Sequence, residues 1–161
     1  MNLPSKQNLA CPCGSGLILK RCCSPVIEKQ RAKTPEQLMR SRYTAYSLGA
    51  YQYVLDTYHS STRPTITSAQ LAQDSLGTEW IKLRIMSNAS DRRENRVQFK
   101  AISKQQGHLY CLHENARFVQ DMGLWFYLDG DISTESGRVK LGRNALCVCD
   151  SGKKLKRCCG K

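Results

Sequence analysis

The sequence predicts an α+β domain flanked at each end by a small cysteine-built module. Three observations carry this. Residues 34–77 place apolar side chains at helical spacing between recognisable caps. Residues 80–129 alternate apolar and polar side chains with period two. Eight of the nine cysteines stand in two short segments near the ends.

The helices come first. Thr34-Pro35-Glu36-Gln37 combines an N-cap threonine, a proline at the first helical position and a glutamine suited to close a capping box. Leu38, Met39, Tyr43 and Tyr46 follow on one face, and Gly49 is suited to end the helix. A second helical stretch carries Tyr51, Val54, Leu55 and Tyr58 and ends before Arg63-Pro64. A third starts near Thr67 or Ser68, includes Leu71 and Leu76, and ends at Gly77.

Four strands then follow. Trp80 to Met86 sets Ile81, Leu83 and Ile85 against Lys82 and Arg84, and Arg96 to Ser103 repeats the pattern with Val97, Phe99 and Ala101. Turn-forming residues separate these strands at Asn88–Asp91 and the next pair at Lys104–Gly107. His108–Gln120 and Leu124–Asp129 form two more strands joined at Asp121-Met122-Gly123. Three helices followed by four antiparallel strands predict helices packed on one sheet face.

The cysteines repeat in register. Cys11, Cys13, Cys22 and Cys23 have the same offsets as Cys147, Cys149, Cys158 and Cys159, with Ser15/Ser151, Gly16/Gly152, Leu19/Leu155, Lys20/Lys156 and Arg21/Arg157 matched as well. A Cys-x-Cys turn and a second pair nine residues later suit a closed tetrahedral cage, so two structural zinc ions per chain are expected. Neighbouring cysteines bridge each other only with strain, which disfavours a disulfide, and the spacing is not that of iron–sulfur ligation. A module without a core of its own draws its folding free energy from the metal. Cys111, outside the repeat, reads as a buried inert thiol.

These segments resemble the SEC-C motif found at the C-terminus of the preprotein translocase motor SecA. In that motif the last ligand is commonly histidine, where this chain has Cys23 and Cys159. Val148 and Asp150 stand where the N-terminal copy has Pro12 and Gly14, and Leu17-Ile18 stand where the C-terminal copy has Lys153-Lys154. The apolar pair suggests an N-terminal knuckle packed on its own protein, the basic pair a C-terminal knuckle left in water to meet a partner.

Three segments widen the resemblance: Arg40–Tyr46, His113–Val119 and Trp125–Gly130. Set between the two knuckles, they look like the YchJ family of bacterial proteins, for which no activity is established. The resemblance implies a nuclear-transport-factor-2-like fold, a curved sheet wrapped round helices to leave a conical pocket. The expected organisation is a knuckle at 1–25, a linker at 26–33, the α+β domain at 34–132, a linker at 133–143 and a second knuckle at 144–161. Candidate pocket residues are Arg42, Tyr43, Tyr46, Trp80, His113 and Tyr127. His113 and Glu114 are neighbours on a strand and cannot both enter the pocket. Arg40 and Arg42 are expected to pair with carboxylates such as Asp129 or Asp131.

The formal charge of +12 is divided unevenly, with +5 in residues 1–33, zero in 34–137 and +7 in 138–161. The basic ends point to an acidic partner met through the knuckles, above all through Lys153, Lys154, Lys156 and Arg157. Residues 130–142, rich in Ser, Thr and Gly, read as a tether. By analogy with SecA the partner is an export chaperone such as SecB, or the ribosome. Direct RNA binding is an alternative, although the knuckles lack base-stacking aromatic residues. A third reading is a small-molecule-binding protein or enzyme that uses the pocket. No Ser-His-Asp arrangement, phosphate-cradling glycine loop or metal-binding carboxylate set is present, which weighs against an enzyme. The first ten residues have no apolar signal region and no stretch approaches a membrane span, so a cytoplasmic, reduced location is expected.

Overall fold

A computed structural model describes residues 8–86 and 95–161. The Asn88–Asp91 turn lies outside them. Helix α1 (Cys23–Lys29) leads out of the N-terminal knuckle, so residues 26–29, read from the sequence as linker, belong to a helix. Val26 and Ile27 are buried on it. Helix α2 (Pro35–Leu48) begins and ends as its caps dictate. Thr34 accepts from the Gln37 amide at 3.1 Å, and Gly49 closes the helix at φ 74°. The Gln37 side chain accepts from the Lys33 amide at 2.6 Å, one residue before the N-cap. Helices α3 (Tyr51–Asp56) and α4 (Ser68–Asp74) follow, the latter capped by Thr67.

The sheet comprises β1 (Thr78–Ile85), β2 (Arg96–Gln105), β3 (His108–Asp121), β4 (Leu124–Ile132) and β5 (Gly137–Arg138). The first four are antiparallel neighbours in sequence order, and β5 pairs with the start of β3. Strand β3 is long enough to hold β4 along Glu114–Asp121 and β5 at Tyr110–Cys111. The intervening chain is fastened between them: the Ser133 amide donates to the His113 carbonyl at 2.9 Å and the Val139 amide to that of Leu109 at 2.8 Å. Within the segment expected as a tether, residues 130–132 thus belong to β4 and Gly137–Arg138 to β5.

Two register shifts bend the sheet, one between Trp80 and Lys82 and one opposite Arg117/Phe118. The first changes the alternation expected for β1, because the extra residue lets Trp80 and Leu83 both turn toward the helices. Leu38, Met39, Tyr43 and Ala45 of α2 pack with Tyr53 and Val54 of α3 against Leu83, Val97, Phe99, Ala101, Ala116 and Phe118. The buried Tyr53 hydroxyl is satisfied by Ser41 at 2.6 Å. Among the described residues no helix is long and apolar enough to cross a membrane.

Candidate metal centres and central cavity

The two knuckles fold alike because their sequences repeat. Each has the same isolated bridge, Ala10 with Ile18 and Leu146 with Lys154. Each closes its turn with equivalent bonds, from the Cys11 amide to Leu17 and from the Cys147 amide to Lys153. A single 3-10 turn, Leu19–Arg21 or Leu155–Arg157, then delivers the second cysteine pair. In both tetrads the four sulfurs lie within 4.8 Å of one another. Cys13–Cys22 and Cys22–Cys23 stand at 3.6 and 3.8 Å, and Cys149–Cys158 and Cys158–Cys159 at 3.4 and 3.8 Å. Zinc–sulfur bonds of about 2.3 Å place neighbouring sulfurs roughly 3.8 Å apart in a tetrahedron. Donor set and spacing are therefore compatible with zinc.

The hydroxyls of Ser15 and Ser151 reach Cys22 and Cys158 at 3.1 and 3.2 Å, a second layer supporting the ligands. With thiols this close, charge cannot be shared evenly. Hydrogen bonds from Cys11 and Cys23 pull Cys13 far below the ordinary thiol value, whereas burial pushes Cys22 up to about 11. Its bonds to Cys11 and Cys13, then burial, raise Cys23 further. In the other tetrad the Ser151 hydroxyl draws Cys149 down to about 6, and burial raises Cys159.

The knuckles differ in how they sit on the body. The N-terminal one is built in: Cys11, Cys13 and Cys23 are buried, Cys11 lies 3.6 Å from the Thr44 hydroxyl, and Arg40 donates to the Cys13 carbonyl at 3.0 Å. Its packing comes from Leu19, Val26 and Ile27, not from the expected Leu17, which is 53% exposed. In the C-terminal knuckle only Cys147 of the four cysteines is buried. It too meets strand β1, through Asp150, which binds Lys82 and Arg84, while Lys82 also reaches the Cys149 carbonyl at 3.3 Å. Asp150 has φ +60°, an unfavourable backbone for a residue with a side chain, where its counterpart Gly14 has φ +73°. Lys153, Lys154, Lys156 and Arg157 are all exposed.

The other site is a cavity of about 130 Å³ between α2 and the sheet. Arg42, Tyr43, Tyr46, Trp80 and Tyr127 line it, together with Tyr58 and Glu114. His113 does not. It faces the opposite side of the sheet, where Gln98 lies 2.9 Å and Glu135 3.1 Å from its ring nitrogens. Period two lets only one of His113 and Glu114 point inward, and the apolar neighbours of Glu114 at i±2, Leu112 and Ala116, identify which. Arg40 and Arg42 do not pair with Asp129 or Asp131, which bind Arg117 and Arg96. Arg40 pairs with Glu36. Arg42 donates to the Val54 carbonyl at 2.8 Å and the Thr57 hydroxyl at 2.7 Å.

The Arg42 guanidinium also lies 4.4 Å from the Tyr58 ring centre and 4.7 Å from that of Tyr127. Tyr127 donates to Glu114 at 2.8 Å. Burial raises the Glu114 carboxyl above its ordinary value, against the opposing pull of Tyr127 and Arg42, and burial raises Tyr46 to about 12. Gly130 makes room for this carboxyl, since a Cβ there would stand 2.1 Å from Glu114 Oε1.

Comparison with known proteins places these features together. Residues 34–130 match the family described as YchJ, middle NTF2-like domain, and residues 143–161 match the SEC-C motif. A UPF0225 protein of Vibrio parahaemolyticus is 40% identical over 166 residues, covering 94% of this chain and 98% of its own. One from Photorhabdus laumondii is 34% identical over 155 residues, covering 93% and 98%. The crystal structure of a SEC-C motif containing protein from Psychrobacter arcticus superposes with a TM-score of 0.65 at 25% identity, covering 96% of this chain and 97% of that one. The solution structure of RPA3114, a SEC-C motif containing protein from Rhodopseudomonas palustris, gives 0.65 at 29% identity over 75% and 96%.

Proposed function

Since the chain belongs to the UPF0225 family, with a YchJ-type NTF2-like middle domain and a SEC-C motif, we propose that it is a zinc-dependent interaction protein whose C-terminal knuckle docks on an acidic protein surface. Each tetrad holds one structural zinc ion, Cys11, Cys13, Cys22 and Cys23 around one and Cys147, Cys149, Cys158 and Cys159 around the other. In the C-terminal knuckle the metal supplies a cross-link in place of a core, and in both, with four thiolates bound, it performs no chemistry of its own.

One observation carries the docking reading. On the body, Arg40, Arg63, Lys82, Arg84, Arg96, Lys100 and Arg117 each have a carboxylate partner. Lys153, Lys154, Lys156 and Arg157 are exposed and, among the described residues, have none. Four cations on one small rigid module attract an acidic surface and steer its approach, an effect that weakens with salt. The SEC-C likeness makes SecB and the ribosome the first partners to try.

Purified reduced protein is expected to show two zinc ions per chain in native mass spectrometry, and one when Cys147 and Cys149 are replaced by serine. The intact chain, but not a variant with the four cations changed to glutamate, is expected to capture its partner from a bacterial lysate at low salt and after ribonuclease treatment. Protein free of zinc ends the metal assignment. Capture that ribonuclease abolishes assigns the knuckle to nucleic acid, and capture that survives the charge reversal removes it from docking altogether.

A further inference from the structure

The central cavity is a second site, independent of the knuckles. Its volume of about 130 Å³ is close to that of an engineered apolar cavity of about 150 Å³ that takes up benzene. It therefore has room for one six-membered ring. Its walls match such a guest. Tyr43, Tyr46 and Trp80 form a connected cluster with ring centres 5.5 Å apart, and Tyr58 and Tyr127 close another side at 5.2 Å.

Two charged groups interrupt this aromatic lining, both nearly inaccessible to solvent: Arg42 at 4% exposure and Glu114 at 6%. They are not spent on each other, since among the described residues no ion pair joins them. Arg42 uses Nη1 for Val54 and Thr57, and Glu114 uses Oε1 for Tyr127. The remaining Arg42 nitrogens make no hydrogen bond among the described residues. Tyr58 and Tyr127 pack against the guanidinium, and its unbonded nitrogens can donate to a guest in the cavity that Arg42 lines. A guest bearing full negative charge would meet Glu114, and one bearing full positive charge would meet Arg42. A neutral guest that both accepts and donates suits the pair.

We propose that the cavity between α2 and the sheet binds a small neutral single-ring aromatic molecule bearing a hydroxyl, which accepts from Arg42 and donates to Glu114. The ring lies among Tyr43, Tyr46, Tyr58 and Trp80, and Tyr127 holds the Glu114 carboxyl in place. Gly130 is what allows Glu114 to reach this position.

Phenol is the probe, with benzene, benzoate and benzylammonium as comparisons. Binding to the zinc-loaded full chain is read by saturation-transfer NMR and by the fluorescence of Trp80 in a Trp125→Phe background. Phenol is expected to bind saturably and at least roughly tenfold more tightly than the other three, the difference one charge-assisted hydrogen bond confers. Glu114→Gln is expected to remove most of that preference. Ala101→Leu, which puts a side chain into the cavity from β2, is expected to abolish binding of all four without lowering the melting temperature. Absence of saturable phenol binding overturns the proposal. So does binding that survives Ala101→Leu, or a preference for benzoate or benzylammonium over phenol.

Discussion

Gly130→Ala tests whether the cavity carboxylate is held by the shape of the sheet. Gly130 pairs with Ala116 across β3 and β4, and Glu114 occupies the space its side chain would fill. An added methyl would stand 2.1 Å from Glu114 Oε1, 2.6 Å from Cδ and 2.7 Å from Cγ. Non-bonded heavy atoms settle at about 3.5 Å, so the carboxyl must retreat by more than about 1 Å. That movement breaks its 2.8 Å bond with Tyr127. Overpacking of this kind costs about 1–3 kcal/mol, and a displaced bond to a buried carboxyl costs a similar amount that overlaps with it. Replacing glycine where its backbone is ordinary returns about 0.4–1 kcal/mol. The expected net loss is about 1–3 kcal/mol, a fall of roughly 3–10 °C in Tm for a protein of this length. Circular dichroism of the zinc-loaded chain measures it. The Glu114→Ala background isolates the cause, because removing the carboxyl removes the clash. The double variant should then be less destabilised than the sum of the singles by at least about 1 kcal/mol. Additivity to within about 0.5 kcal/mol would refute the steric reasoning.

Two further outcomes follow from named contacts. The raised Glu114 value means that, between the ordinary 4.5 and its folded value, the folded chain keeps a proton the unfolded chain has lost. Its contribution to stability is thus full below 4.5 and declines as pH rises through that window. Denaturant titrations across pH should show that Glu114→Gln removes this decline, and parallel curves would count against a buried ionisable Glu114. Asp150→Gly relieves a left-handed backbone and deletes the contacts with Lys82 and Arg84. Exposed ion pairs contribute little, so stability should change by less than about 1 kcal/mol. Amide exchange within 144–161 should nevertheless accelerate, as it should in the unaltered chain at high salt. Unchanged exchange would mean that something other than Asp150 seats the knuckle.

The cysteine tetrads were legible because a four-sulfur site imposes its own spacing: thirteen residues must bring four sulfurs to one point, and the same register occurs twice. The cavity was less so. Tyr43 and Tyr46 are visible as one face of α2, but that this face meets Trp80 depends on the register shift between Trp80 and Lys82, which period two does not reveal. Residue type favours His113 as the chemical group, whereas facing is decided by which side of β3 carries the apolar residues, and that side carries Glu114.

Local signals determined the helix boundaries at Thr34, Gly49 and Thr67, the four long strands and both tetrads, because caps, periodicity and ligand spacing each act within a few residues of chain. Tertiary structure alone decided what distant segments do when they meet. It fastened Ser133 and Gly137–Val139 along the edge of β3, since β3 outruns β4 and leaves backbone groups that need partners. It seated the C-terminal knuckle through Asp150 on Lys82 and Arg84, a contact across 66 residues. It also set Arg42 and Glu114 around one cavity without joining them, because Val54, Thr57 and Tyr127 hold each in place. Such long-range pairings leave no periodic mark in the sequence, since they depend on where bends and bulges bring the elements together.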